Sequence, residues 1–319
     1  MNIDNTKIVS LRVPYTESLT FNVIGSNKDE SIPRMIELNN GYYEAEISQL
    51  LKKIIHEDWI CIDVGANIGA ITLMMASLAN KGEVHCFEPV PQNYKFLEQN
   101  IHSNNIKNAI LNNLGLFSEE KTLTFHYVEE FAGGAYYSPL GVSDIREIQV
   151  NVECLTLDKY LHDHSDIIPR VNLIKIDVEG AEEDVLVGAC DTIKKYSPDL
   201  IIEFNPAASL KFYGKDMRGV YDKIVCLGYE VNMIIRSGGA LLPIKAYEDL
   251  VQSVNEQGGI GDIYCSKSLH LKYDSLRGVP IFAKYFSVLP ARKISKKSLY
   301  LQCLGLTRSV LFRLSKVVK

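Results

Sequence analysis

Three short runs hold side chains whose types and spacing could do chemistry. The first is Ile62-Asp-Val-Gly-Ala-Asn-Ile-Gly69, where an apolar strand enters a glycine-rich turn. Gly65 and Gly69 let the backbone pass close to a ligand. Asp63 falls at the carboxyl end of the strand, the edge at which open α/β sheets bind ligands. A dinucleotide site requires GxGxxG, whose second glycine admits a pyrophosphate. The spacing here is GxxxG, and Asn67 fills the region where a phosphate would lie. S-adenosylmethionine (SAM) has no phosphate but a charged amino-acid end, which an acid such as Asp63 can help to hold. The bland alternative is a tight strand-to-helix turn with no ligand.

The second run, Val84-His-Cys-Phe-Glu88, ends in a carboxylate about 20 residues beyond Gly69, where nucleotide-binding βαβ units place an acid on the ribose hydroxyls. The third, Ile174-Lys-Ile-Asp-Val-Glu-Gly180, puts a lysine and two acids into an apolar strand. Unpaired buried charges are costly, so Lys175 must reach solvent or a carboxylate. Asp177 falls at the carboxyl end of that strand, and Glu203 holds the matching place in Leu200-Ile-Ile-Glu-Phe204. On neighbouring strands the two acids converge on one opening. There they could accept a hydroxyl proton, orient a substrate or bind a divalent metal. The alternative is a structural pair between Lys175 and Glu203.

The elements that must position these groups read as alternating strands and helices. Strands are expected over Trp59–Val64, Glu83–Phe87, Ala109–Leu114, Val171–Asp177 and Pro198–Phe204. Helices are expected over Ala70–Ala79, from Pro91 to about His102, and from Ala181 to about Ala189. Such alternation predicts βαβ units around a mostly parallel, doubly covered sheet. Lys121–Val128 and Glu147–Cys154 alternate like antiparallel strands and flank a loop over Phe131–Tyr137. Tyr229–Ile235 and Gly261–Ser266 read as a closing antiparallel pair, with Gly238, Gly239, Gly258 and Gly259 in the connection. Residues 1–50 form a small N-terminal cap, 51–266 the catalytic domain, and 267–319 a basic C-terminal extension.

In order along the chain, DVGANIG, CFEPVPQNYKFLEQN, LTLDKYL, LIKIDVEGAEEDVLVGA and LIIEF resemble the FkbM family of SAM-dependent methyltransferases. The resemblance covers roughly Trp59 to Phe204. It implies a class I methyltransferase, Rossmann-like fold, SAM as cofactor, and usually O-methylation of a sugar hydroxyl in a glycan, glycolipid or secondary metabolite. It implies Asp63, Gly65, Asn67, Gly69 and Glu88 as cofactor residues. Asp177 and Glu179 lie in its most distinctive motif, which implies an active-site role for both, with Glu203 converging on them. No metal-ligand motif is indicated, although two nearby carboxylates leave a divalent metal open. The alternatives are N- or C-methylation of another small metabolite, and a non-catalytic SAM-binding or scaffold protein. An NAD oxidoreductase is disfavoured by the missing GxGxxG.

No histidine pair has HxxxH or HExxH spacing, and no elbow motif suggests a Ser/His/Asp triad. Tyr42, Tyr43, Tyr136 and Tyr137 could line a sugar site or serve as ordinary core and surface residues. The seven cysteines include no CxxC pair and read as small core residues in a reducing compartment. Met1–Phe21 lacks the charged head and apolar run of a secretory signal, and no stretch approaches the roughly 18 apolar residues that span a bilayer. The expected location is the cytoplasm.

Charge is unevenly placed. Lys267–Lys319 holds 12 Lys/Arg and one acid, Asp274, so it carries +11, while the other residues carry −16. From Leu299 to Val317 apolar residues follow helical spacing beside Arg308, Arg313 and Lys316. Such a tail can lie on an anionic membrane surface, or dock on the catalytic domain or a second subunit. The acidic body argues against a nucleic-acid substrate, because it repels phosphates.

Overall fold

The computed structural model describes residues 6–14, 19–128, 131–141, 147–165, 168–236 and 239–267. The basic extension lies beyond the described residues from position 268 onward. The chain opens with a hairpin of β1 (Thr6–Arg12) and β2 (Thr20–Ser26), then helices α1 (Ile32–Leu38) and α2 (Ala45–Ile54). A βαβ unit follows, β3 (Ile60–Val64), α3 (Ala70–Leu78) and β4 (Glu83–Phe87), and α4 (Pro91–Ser103) leads to β5 (Ala109–Asn112). Next come β6 (Gly115–Leu116), β7 (Lys121–Val128), β8 (Phe131–Tyr137), β9 (Ile148–Leu155) and α5 (Leu157–Asp163). β10 (Leu173–Ile176), α6 (Glu182–Gly188), α7 (Cys190–Tyr196) and β11 (Asp199–Phe204) continue the alternation. The short α8 (Pro206–Ala208) widens into a turn over Ser209–Tyr213. Then come α9 (Arg218–Cys226), β12 (Glu230–Ile235), β13 (Ala240–Ile244), α10 (Tyr247–Glu256) and β14 (Gly261–Ser266).

The main sheet has eight strands in the order β13-β12-β14-β11-β10-β3-β4-β5. The five from β11 to β5 run parallel, and β14, β12 and β13 add antiparallel pairs. This is the doubly wound sheet with an antiparallel closing strand expected from the sequence. Its parallel strands are continuous apolar runs because both faces are covered: every residue of β3 and β10 is buried. One face packs under α2, α3 and α4 with the N-terminal hairpin. The other packs under α5, α6, α7, α9 and α10. Chain order reverses between β3 and β10, which opens a crevice at the carboxyl ends of those two strands.

Three stretches differ from the sequence reading. Phe131–Tyr137 is a strand, not a loop. β8 pairs with β7, and β9 pairs with β7 and β6, so residues 115–155 form a second, four-stranded sheet. Gly133 and Gly134 disguise β8 as a turn, but cross-strand pairing overrides local preference. The connection between β12 and β14 holds β13 and α10. Pro243 is tolerated in β13 because that strand sits at the sheet edge. Helix α7 continues the chain past the expected helix end at Ala189.

The N-terminal hairpin shares the core of the sheet. Leu11, Val23, Ile36, Ile47 and Leu51 pack in one cluster with Cys61, Leu73 and Cys86, and α2 runs across residue 50. Asn100 of α4 ties the hairpin down. Its side chain accepts from Ile24 N at 2.6 Å and donates to Ile24 O at 2.9 Å and Ile68 O at 2.8 Å. Among the described residues no helix is long and apolar enough to cross a membrane.

Asn100 is fully buried, so its removal strands one donor and two acceptors. Asn100→Ala should lower the unfolding free energy by about 3 kcal/mol. Asn104→Ala, which loses more exposed bonds to Asn22, should cost about 1 kcal/mol. Urea denaturation checks both, and equal losses would show that the Asn100 bonds are not the tie.

Candidate active site

Strand register brings the acids together. Side chains alternate between faces, and in-register neighbours point the same way. Lys175 sits opposite Asp63 on β3 and Ile201 on β11, and Asp63 sits opposite Cys86 on β4. Two residues beyond Lys175, Ile201 and Cys86, strands β10, β11 and β4 lead to acids, Asp177, Glu203 and Glu88, whereas β3 leads to Gly65. Asp262 of β14 lies opposite Glu203. The face is apolar at its base (Cys61, Leu173, Ile201) and acidic at its rim. One pocket is lined by Asp63, Gly65, Asn67, Glu88, Asp177, Glu179 and Glu203, seven of the eight residues expected from sequence. Gly69 is not among its lining residues.

The glycine turn is built by the protein's own packing. A Cβ on Gly65, at φ +83°, would stand 1.8 Å from the Asp177 carbonyl oxygen, so only glycine lets β3 leave the sheet past the end of β10. A Cβ on Gly69, at φ +88°, would meet Leu97 of α4 at 2.6 Å. Its role is therefore to admit α4, rather than a ligand, against the start of α3. The Gly65 and Ala66 amides both donate to Phe87 O at 3.0 Å. Asn67 adopts a left-handed backbone, and its N–H donates to Glu88 Oε2 at 2.9 Å. Glu88 Oε1 accepts from Val90 N at 2.9 Å. Burial raises the Glu88 carboxyl to about 7 against these three amide donors, the third being Asn93. Asp63 is fully buried. One of its oxygens accepts from Thr72 Oγ1 at 2.6 Å, while Oδ1 has no partner among the described residues.

Across the crevice, Lys175 pairs with Asp177, its Nζ 2.9 Å from Oδ2, and not with Glu203. The two are i and i+2 on one strand, so they share a face without any neighbour's help. Burial opposes the lysine's charge, but Asp177, Glu44 and Asp63 more than offset it and hold its pKa above the usual lysine range. Carboxylate oxygens of Asp177, Glu179 and Glu203 lie within 4.8 Å of one another. Glu203 Oε2 is buried and has no partner among the described residues, and burial drives this carboxyl well above the ordinary range. Burial, with Asp177 and Glu182 beside it, lifts Glu179 to about 8. Three acids so placed can share a cation, although Lys175 already supplies one positive charge to Asp177.

The remaining wall comes from outside the motifs. Tyr43 and Glu44 enter from the segment before α2, Phe125, Gly133 and Ala135 from the second sheet, and Tyr213 from the turn after α8. Sequence reading weighed Tyr43 as one of four tyrosines and missed Glu44, which looks like an ordinary acid ahead of a helix. Tyr136 and Tyr137 instead join an aromatic cluster, Tyr136 stacking on Phe212 with ring centroids 3.7 Å apart. Cys61, Cys86, Cys154 and Cys265 are buried core residues as expected, whereas Cys226 is exposed.

The family model described as the methyltransferase FkbM domain matches residues 63–231. Methyltransferase 1 of Beauveria bassiana is 28% identical over 167 residues, covering 46% of this chain and 65% of its own length. Hexuronic acid methyltransferase AglP of Haloferax volcanii is 28% identical over 152 residues, covering 47% of this chain and 58% of its own. The chain therefore spans less than two thirds of either relative. Among solved structures, methyltransferase FkbM from Methylobacillus flagellatus is 17% identical, with a TM-score of 0.40 over 56% of this chain and 40% of that one.

The raised carboxyls make a pH prediction for the ligand-free protein. Glu88 and Glu182 lie near 7, and Glu44 and Glu179 near 8, each raised chiefly by burial above a value near 4.5 in the unfolded chain. Between those limits the folded state holds more protons, so stability is full below about 5 and falls as pH rises through 7 to 8. Melting curves from pH 5 to 8.5 should show this decline. Glu182→Gln, which keeps an acceptor for the Val178 and Gly180 amides, should flatten it. Stability that rises over the same range would mean that these carboxyls are already ionised.

Proposed function

The chain belongs to the FkbM methyltransferase family, and on that premise we propose that it methylates a hydroxyl oxygen of a carbohydrate or a related small molecule, with SAM as donor. The observation that carries this reading is the single pocket into which the glycine turn and the carboxylates both open. The residues present fit the donor. Its ammonium and sulfonium suit a pocket whose lining includes six acids (Glu44, Asp63, Glu88, Asp177, Glu179 and Glu203) and one cation, Lys175. Asp63 Oδ1 and Glu203 Oε2, which have no partner among the described residues, leave room for a ligand's hydrogen bonds. Asp63 and the backbone around Gly65 and Asn67 would hold it, with Glu88 on its ribose. When bound, SAM supplies a methyl group on a sulfonium sulfur, which keeps the bonding electron pair as an acceptor oxygen attacks.

The chain's own part is to place and deprotonate that oxygen. Asp177 lies at the end of β10 with one oxygen held by Lys175, which fixes its carboxylate plane. Its other oxygen is left to receive a hydroxyl proton. Glu203 and Glu179 flank it and can orient neighbouring hydroxyls of a polyol. That pattern, together with a relative named for a hexuronic acid, supports a sugar acceptor.

Calorimetry should show that the protein binds SAM and not NAD. Asp177→Asn should keep SAM affinity within about twofold while transfer of radiolabelled methyl to a panel of glycosides falls roughly 10²- to 10⁴-fold. Methyl recovered on nitrogen or carbon would contradict the O-methylation reading, and undiminished transfer by Asp177→Asn would remove that residue from the mechanism.

A further inference from the structure

Glu44 lies outside residues 63–231, the span that matches the family, yet it reaches the pocket. It is the residue just before α2, and its side chain makes no capping bond to that helix. Its backbone is left-handed, at φ 41° and ψ 59°, an uncommon conformation for a residue with a side chain. Ser48 secures the bend, its hydroxyl donating to Tyr43 O at 3.2 Å and Glu44 O at 3.0 Å. The bend delivers the carboxylate to the same face as Lys175 and Asp177 of β10 and Asp262 of β14. Tyr43 hydrogen-bonds to it from the adjoining position. Glu44 Oε2 is buried and has no hydrogen-bond partner among the described residues. A buried oxygen left in that state is costly, and a ligand that brings a hydrogen-bond donor would complete it.

We propose that Glu44 is the residue that receives the α-ammonium of the methyl donor. This rests on the SAM reading above. An unpartnered oxygen needs an N–H or O–H, and of the donor's two positive groups the ammonium carries N–H bonds whereas the sulfonium carries none. Glu88 marks the ribose side of the glycine turn, and Glu44 lies toward the opposite side, beside Lys175 and Asp177. The carboxyl rests near 8, raised by burial against the pull of Lys175, with Asp177, Asp262 and Glu46 adding to the rise. An arriving ammonium gives it the countercharge to ionise.

The test compares two ligands by calorimetry. S-adenosylhomocysteine keeps the amino-acid end, and 5′-methylthioadenosine is a similar nucleoside thioether without it. Glu44→Gln should weaken S-adenosylhomocysteine roughly 10- to 100-fold, the loss of a charge-assisted hydrogen bond, and leave 5′-methylthioadenosine unchanged. Retained 5′-methylthioadenosine affinity also certifies the fold of the variant. Glu46→Gln, which removes an acid outside the pocket lining, should bind both ligands as the wild type does. Unchanged S-adenosylhomocysteine affinity in Glu44→Gln, or equal weakening of both ligands, overturns the assignment. A wild type that binds neither ligand overturns the methyltransferase reading itself.

Discussion

A lysine in the middle of a sheet covered on both faces must have its charge answered from within the protein, because water cannot reach it. Lys175 is that residue, and much of the site follows from the answer. The next same-face position on its own strand is Asp177, its neighbour across β3 is Asp63, and Glu44 is brought over from the N-terminal segment. One cation is thereby shared among several carboxylates. The resulting excess of acid leaves the free protein short of positive charge at the rim of the sheet. Burial chiefly raises the carboxyls there, neighbouring acids add to the rise, and a cationic ligand would relieve it.

The same rim joins two mechanical units. Gly65 turns the chain directly over the Asp177 carbonyl, an approach so close that no side chain fits between the turn and the end of β10. Glu88 fixes the other side of the turn through the Asn67 amide, and its second oxygen fixes the chain that starts α4. The Asp177 carbonyl on one side and the Glu88 carboxylate on the other thus brace one turn. Such bracing would keep a bound donor in one place, the condition under which positioning accelerates a reaction.

The parallel strands were legible because burial on both faces writes them as unbroken apolar runs, and the acids at their ends stood out against that background. Lys175 was correctly expected to need a carboxylate. The choice of Asp177 over Glu203 was also readable, since i and i+2 on a strand share a face. Other features left no local trace. The glycine pair in Phe131–Tyr137 concealed a strand that exists only by pairing with β7, and Pro243 concealed one permitted only at an edge. Gly69 looked like part of a ligand loop but answers to Leu97, a residue some thirty positions away whose approach no spacing rule reveals. Glu44 was invisible for the same reason: its significance comes from the approach of the segment before α2 to Lys175 and not from its neighbours in sequence.

The division of the pocket wall has a mechanical consequence. The donor half is built from strand ends and a turn that cannot be altered without disturbing the sheet. Phe125, Gly133, Ala135 and Tyr213, by contrast, stand on the residue 115–155 insertion and on the turn after α8, which hang beside the sheet. Substitutions there leave strand register and the lysine's countercharges intact. Changes in the insertion can therefore reshape that side of the pocket without touching the strand ends opposite it.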